Sequence, residues 1–213
     1  MEPELVADEG HVLLWRPPEP VLAISSGPLG GGIGERRWVV NATVPLSYDR
    51  DDPEVHLREI ADRIGVRGAG CGLLTGVDVR LVRHHRDAGV SAWVTTGIGD
   101  APTWAAAEPT GETASTAGTI NAVCLLPVRL ADAALVNAVA TVAEAKAQAL
   151  VESGVPGTGT CTDATVLLCP TRGPVERYGG PRSAVGAPLA RAVRAAVVAG
   201  LRPPGSSPLF GRR

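Results

Sequence analysis

WVVNATVP at residues 38–45 and GTINAVCLLP at residues 118–127 are two apolar strings, each with one Asn near its middle. Each reads as a buried strand that leads into a segment of helical period. The first leads to DDPEVHLREIADRIG (51–65). There Leu57, Ile60, Ala61 and Ile64 share one face, Asp52 stands at the cap, Pro53 suits the first helical position and Gly65 stops the helix. The second leads to ADAALVNAVATVAEAKAQALVESG (131–154), with Asp132 as cap, Leu135, Val139, Val142 and Leu150 on one face, and Gly154 as stop.

Working outward, the resemblance between the two regions continues. VLAISSGPLG (21–30) is similar to SAWVTTGIGD (91–100), and GAGCGLLTGVDVRLV (68–82) answers to PGTGTCTDATVLL (156–168). The sequence therefore predicts an internal pseudo-twofold repeat with halves at about 20–82 and 91–169. HVLLWR, PVLAISS, GCGLLTG, VRLVRH, VSAWVTTG and CTDATVLLCP all read as strands, and SAVGAPLARAVRAAVVAGL (183–201) as a last helix with Pro188 near its start. The expected fold class is α+β: a single domain of mixed sheets with outer helices, over residues 11–202. Residues 1–10 read as a loose arm and the Pro/Gly/Ser-rich residues 203–213 as a flexible tail. If the halves repeat, Ser25, Ser26 and Asn41 face Thr95, Thr96 and Asn121 across one cleft, and ligand sites favour such junctions.

The chain has 213 residues, 45% of them apolar, enough for one sizeable core without staples. A net charge of −2 argues against a nucleic-acid footprint. No apolar run reads as a membrane span of roughly 18–20 residues, and the acidic start MEPELVADEG lacks the basic opening of a signal peptide. The expected location is the cytoplasm. The four cysteines, Cys71, Cys124, Cys161 and Cys169, form no CxxC pair and read as buried, reduced thiols. No metal site is expected from their spacing. RHHR (83–86) reads as a charged strand end at the surface, and the Trp residues as half-buried packing, although an indole could also stack on a flat ligand.

GGGIG (30–34) fails as a nucleotide fingerprint: Glu35 stands where the third Gly belongs, and a strand follows instead of a helix. It reads as a turn that lets backbone approach a ligand closely. GTGTCTD (157–163) has two readings. Its backbone N–H groups and Asp163 can serve an amide oxygen and a water. Equally, it can be a Thr-rich strand entry with Asp163 bonding its own turn. Glu144 and Lys146 lie two apart on a helix, so they point in different directions.

Together, AISSGPLGGGIGERRWVVNATVP, GCGLLTGVDV, VTTGIGDA, TAGTINAVCLLP, ALVNAVATVAEAKAQAL, GTGTCTDATVLL and YGGPRSAVGAPLARAV resemble the adenosylcobinamide amidohydrolase family, in order and spacing, over about residues 20–200. The resemblance implies hydrolysis of the amide joining the aminopropanol arm to the corrin ring, with adenosylcobyric acid and aminopropanol as products, in corrinoid salvage. It implies a corrinoid as the small-molecule partner and no resident cofactor, because the substrate carries the cobalt. No nucleic-acid or membrane partner is expected, and a homo-oligomer stays open. The family pattern points to Ser26, Gly31, Gly32, Asn41, Thr75, Asn121, Glu144, Lys146, Thr160 and Asp163; Thr96 and Gly159 join them as cleft residues. The expected chemistry is attack by water, with Asp163 as base, backbone N–H groups of Gly31, Gly32 or Gly159 on the oxyanion, and Lys146 protonating the leaving amine. Ser26 and Thr160 have no identifiable His partner to activate them. The chain departs from the family where Asp100 replaces Asn and where Pro181 and Arg182 replace Lys-His, which removes a histidine near the last helix. Two rival readings are a non-catalytic corrinoid or tetrapyrrole binder and a self-cleaved acyl-transfer enzyme with a Thr nucleophile.

Overall fold

The structure is a computed structural model, described over residues 1–99, 102–108 and 118–202. Asp100 and the 203–213 tail lie outside the described residues.

Four layers stack in the order helix, sheet, sheet, helices. The first sheet has the order β1 (Glu4–Ala7), β2 (His11–Trp15), β5 (Trp38–Thr43), β6 (Gly70–Thr75). The second has the order β4 (Gly32–Arg36), β3 (Val21–Ser25), β11 (Ala164–Cys169), β9 (Thr119–Leu125), β8 (Val90–Gly97), β7 (Arg83–Asp87). Both sheets are mixed: β5 runs parallel to β6 and β9 to β11, and the other pairs are antiparallel. Strand alternation sorts the side chains into three cores. Val12, Leu14, Val40 and Ala42 pack under Leu57, Ile60 and Ala61 of α1 (Pro53–Arg63). Leu13, Trp15, Val39 and Leu73 meet Trp93, Val123, Val166 and Leu168 between the sheets. Ala92, Val94, Ile120, Ala122 and Leu167 pack against α2 (Asp132–Glu152) and α3 (Gly186–Gly200). Ala134, Ala138, Ala145 and Ala149 of α2 and Ala192 and Ala196 of α3 are all buried in this layer, so short side chains let the helices lie close to the sheet. A short parallel pair, β10 (Arg129–Leu130) and β12 (Val175–Glu176), flanks the helix side.

The α+β class, the mixed sheets and the outer helices agree with the sequence reading. Several details do not. Residues 1–10 are not a loose arm: β1 pairs with β2, and Arg63 of α1 grips Asp8 through two hydrogen bonds of 2.9 and 2.8 Å. Asp52 stands at the N-cap position of α1 as expected, but its side chain makes no capping hydrogen bond, because its carboxylate is taken by Arg50. Asp132 is the first residue of α2, after Ala131. VRLVRH splits into a 3₁₀ turn at Val79–Leu81 and the start of β7. In length and composition α2 suffices to cross a membrane, contrary to the sequence reading. Its apolar side chains are used in the helix-side core.

The chain winds the same way in both sheets: a hairpin (β1–β2, β7–β8), an antiparallel strand (β5, β9), a helix (α1, α2), and a strand parallel to the previous one (β6, β11). Asn41 and Asn121 fall on the corresponding strands β5 and β9. This shared winding does not establish the expected repeat. VLAISSGPLG and SAWVTTGIGD do not occupy matching places: β8 answers to β2, whereas β3 and β4 leave the first half and extend the second sheet beyond β11. The turn after β3 then reaches back, and Gly72 of β6 donates to the Leu29 carbonyl at 2.9 Å. The GGGIG turn thus approaches the first sheet's backbone closely. Gly30 has φ +68°, and a Cβ there would collide with the Gly70 carbonyl oxygen.

Two outcomes follow. Gly30→Ala should lose more than about 2 kcal/mol, since it combines a left-handed backbone with a backbone collision; urea unfolding checks this. The Arg63 guanidinium holds the Asp8 carboxyl below its ordinary value. A depressed acid stabilises the fold above its unfolded value, near 3.8, and loses that contribution as pH falls through the lower folded value. Asp8→Asn should therefore cost no more than about 1 kcal/mol at neutral pH, and the difference from wild type should shrink below pH 4 in thermal melts.

Candidate active site

Sheet pairing between β9 and β11 begins at Asn121 and Ala164. One residue earlier on each strand, a side chain replaces the ladder: the Asp163 carboxylate accepts the Ile120 backbone N–H at 2.8 Å. The same carboxylate accepts the Thr160 N–H at 3.1 Å and lies in hydrogen-bond contact with the Thr160 hydroxyl. Its other oxygen pairs with the Lys146 ammonium, reaching over from α2. Both charged side chains are mostly buried, at 18% and 12% exposure. Three donors are fixed on Asp163: the Ile120 N–H on Oδ1, and the Thr160 N–H and the Lys146 ammonium on Oδ2, whose two acceptor positions they fill. The single Thr160 hydroxyl proton serves either Asp163 or the Gly118 carbonyl, 2.7 Å away.

Gly159 lies directly against this ion pair. A Cβ there would collide with Asp163 Oδ2 and approach Lys146 Nζ to 2.6 Å. The loop is braced from outside by Thr103, which donates to the Gly159 carbonyl at 2.8 Å and accepts from Thr158 N–H at 2.9 Å.

Lys146 and Asp163 line a cleft of about 180 Å³ together with Ser26, Thr165, Ile120 and apolar side chains of α2 and α3. Ser26 is exposed. It exchanges backbone and side-chain bonds with Thr165: its N–H donates to the Thr165 carbonyl, and its Oγ accepts the Thr165 N–H, both at 3.0 Å. The Ser26 hydroxyl proton has no acceptor among the described residues. All four side chains expected to carry chemistry, Ser26, Lys146, Thr160 and Asp163, thus meet in one place, although β3, α2 and the loop before β11 supply them from far apart in the chain.

The expected binding residues divide. Asn41, Thr95 and Asn121 come together between the sheets: Asn41 Nδ2 donates to Thr95 Oγ1 at 3.1 Å, and Asn121 Nδ2 to Asn41 Oδ1 at 2.9 Å. Asn41 ties the sheets together and lines none of the clefts. Asn121 and Thr75 line a second cleft of about 270 Å³ on the other face of β9, with Thr119, Thr162, Tyr48 and Arg50. Thr96 does not face Asn41. Strand alternation turns it to the helix side, where it packs against Gly200 of α3. Of the α2 pair, Lys146 faces the cleft and Glu144 is exposed, lining none of the clefts. Gly31 and Gly32 shape the β3–β4 turn and line neither cleft. Pro181 and Arg182 line a separate hollow beside Asn137, about two and a half turns of α2 away from Lys146.

Sequence reading counted neither Thr119 nor Thr162 among the site residues; their hydroxyls lie 2.8 Å apart at the second cleft. The signal was there: in Thr119-Ile120-Asn121, period-2 alternation sends the Thr and Asn to one face and the Ile to the other. Cys161 is exposed, contrary to expectation, while burial pushes the Cys124 thiol up to about 12 and raises those of Cys71 and Cys169. Trp15, Trp38 and Trp93 are buried and serve packing. Among the described residues, no three His, Cys, Asp or Glu side chains gather to hold a metal ion.

The family described as adenosylcobinamide amidohydrolase matches residues 2–206. A protein of that name from Methanosarcina mazei is 32% identical over 84% of this chain and 89% of its own. Another, from Halobacterium salinarum, is 34% identical over 84% of this chain and 79% of its own. Among solved structures, the PH0078 protein from Pyrococcus horikoshii OT3 aligns over 94% of this chain and 80% of its own, at 14% identity and a TM-score of 0.41, too low to bear on the site. On its matched length and its identity to these relatives, the chain belongs to the adenosylcobinamide amidohydrolase family, and it is a hydrolase acting on an amide.

Proposed function

We propose that the chain cuts the amide joining the aminopropanol arm to the corrin ring of adenosylcobinamide, releasing adenosylcobyric acid and aminopropanol, as a cytoplasmic step in corrinoid remodelling. The observation that carries this reading is the Lys146–Asp163 pair, held at the wall of a cleft that also presents the Ser26 hydroxyl. The substrate brings its own cobalt.

The filled acceptor positions of Asp163 Oδ2 set the order of events. At rest this oxygen, which accepts from the Thr160 N–H and from Lys146, has no free position for water. When the scissile carbonyl enters the cleft, its oxygen draws the Lys146 ammonium away, and Asp163 Oδ2 becomes free to accept from water. Water oxygen then bonds to the carbonyl carbon while its proton passes to Asp163. Negative charge develops on the carbonyl oxygen, held by Lys146 and the Ser26 hydroxyl. As the C–N bond breaks, the proton on Asp163 passes to the departing amine and the carboxylic acid remains on the ring. Gly31 and Gly32 do not line this cleft and are given no part in the oxyanion site; Gly159 acts by leaving room for the pair.

Asp163→Asn and Lys146→Met should each lower turnover by about 10²-fold or more with KM changed only a few-fold, read as aminopropanol released from adenosylcobinamide. Ser26→Ala should lose less, about 10-fold, because Ser26 supplies one hydrogen bond of several. A corrinoid acid trapped as an ester on Ser26 or Thr160 in intact-mass spectra would overturn attack by water. Binding without release of aminopropanol by the wild type would overturn hydrolysis of this amide and leave a binder.

Gly159→Ala should separate Lys146 from Asp163 while touching no substrate. A drop in kcat of at least about 10-fold, with melting shifted by only a few degrees, is the expected outcome.

A further inference from the structure

The second cleft holds a polar pair that the hydrolytic step leaves unused. Asn121 is 1% exposed, and both protons of its Nδ2 are taken: one by Asn41 Oδ1, the other by the Leu74 backbone carbonyl, each at 2.9 Å. A carbonyl can only accept, so the Asn121 amide cannot be turned round without setting two oxygens against each other. Its Oδ1 is then fixed as the acceptor, and it has no donor among the described residues. A buried, unpaired acceptor is costly unless something fills it. On the neighbouring strand, Thr75, also 1% exposed, accepts the Val77 backbone N–H at 3.0 Å, so its own hydroxyl proton is left to give. Both side chains line the cleft, so its lining includes one unpaired acceptor and one hydroxyl with a proton to give, within apolar walls formed by Pro28, Val44, Leu46 and Ala164.

We infer that this cleft is a subsite for a primary carboxamide on a short aliphatic arm. The carboxamide N–H₂ donates to Asn121 Oδ1, its carbonyl oxygen accepts from Thr75, and the apolar walls take the methylenes. A carboxylate in the same place would set negative charge against Asn121 Oδ1 and supply no donor. At about 270 Å³ the cleft is smaller than sites that enclose drug-sized ligands, roughly 300 Å³ and more, so it holds an arm and not a macrocycle. Resting on the reading above, in which the ligand is a corrinoid edged with side-chain carboxamides, the subsite takes one of those arms. The loop Thr160–Asp163 stands between this subsite and the Lys146 cleft, since Thr162 lines one and Asp163 the other. An arm docked beside Asn121 positions the ring while the aminopropanol arm lies against Lys146.

The test uses the intact wild-type protein and two probes. In an NMR titration, propionamide should shift the Asn121 side-chain amide and the Thr75 and Thr119 resonances, while propionate at equal concentration leaves them in place. No shift with propionamide, or equal shifts with both, would overturn the subsite. This readout needs no turnover, so it stands apart from the hydrolase reading, which fails on its own if the wild type releases no aminopropanol from adenosylcobinamide. With turnover established, adenosylcobinamides with a single side-chain carboxamide converted to carboxylate should include one isomer with KM raised at least 10-fold and kcat nearly unchanged. Leu46→Trp, which crowds the mouth of the cleft from an exposed position, should raise KM for the parent substrate likewise. Full kcat/KM for every isomer would also overturn the inference.

Discussion

One carboxylate joins the parts that must stay in register for chemistry. Asp163 binds the backbone of β9 through Ile120, its own loop through Thr160, and α2 through Lys146. Hydrogen bonds to an ionised carboxylate are stronger than neutral ones, and removing one partner of a mostly buried pair leaves the other charge uncompensated. The position of Lys146 is therefore not a local choice of one long side chain. It is set by where the β9–β11 ladder stops, because Asp163 takes up the first N–H the ladder leaves unpaired. Gly159 belongs to the same constraint, since no side chain fits between the loop and the pair.

β9 is the wall between two environments. Its alternation directs Ile120, Ala122 and Cys124 to the helices, and Asn121 and Val123 to the other sheet. The same strand end supplies a backbone donor to the ion pair and a side-chain amide to the opposite cleft. Short residues on α2 and α3 bring the helix layer close enough for Lys146 to reach over the sheet edge. Between the sheets, Asn41, Asn121 and Thr95 replace apolar contact with directed hydrogen bonds at one level of the sandwich, which favours a single register over sliding.

The elements were largely legible from periodicity. Leu57, Ile60 and Ala61 mark α1, Leu135, Val142 and Leu150 mark α2, and the strand strings fall where the sheets have them. The meeting of Ser26, Lys146, Thr160 and Asp163 came from the family likeness, since residues so far apart carry no shared local signal. What stayed hidden was long-range pairing. β3 looks like a counterpart of β8 in composition, and nothing in VLAISS says that its partner is β11. The N-terminal arm hid for a similar reason: ELVA, four residues in an acidic stretch, is too short to read as a strand, and it becomes one because β2 offers an edge and Arg63 holds Asp8. Thr96 was misplaced because alternation along VSAWVTTG was not carried through to its end.

The departure of β3 and β4 into the second sheet bears on how the chain is made. Ser26 waits for Thr165, 139 positions later. During synthesis the first sheet can gather as soon as β6 emerges, while the β3–β4 hairpin remains with an open edge until nearly the whole protein has left the ribosome. Pairing over such a span is slow, because the loop must close before the contact stabilises anything. The open edge of β3 is in that interval a place where neighbouring nascent chains can pair wrongly. Splitting the gene between the two sheets would make the same edge permanent, so the molecule cannot be divided into two independently folding pieces at its middle.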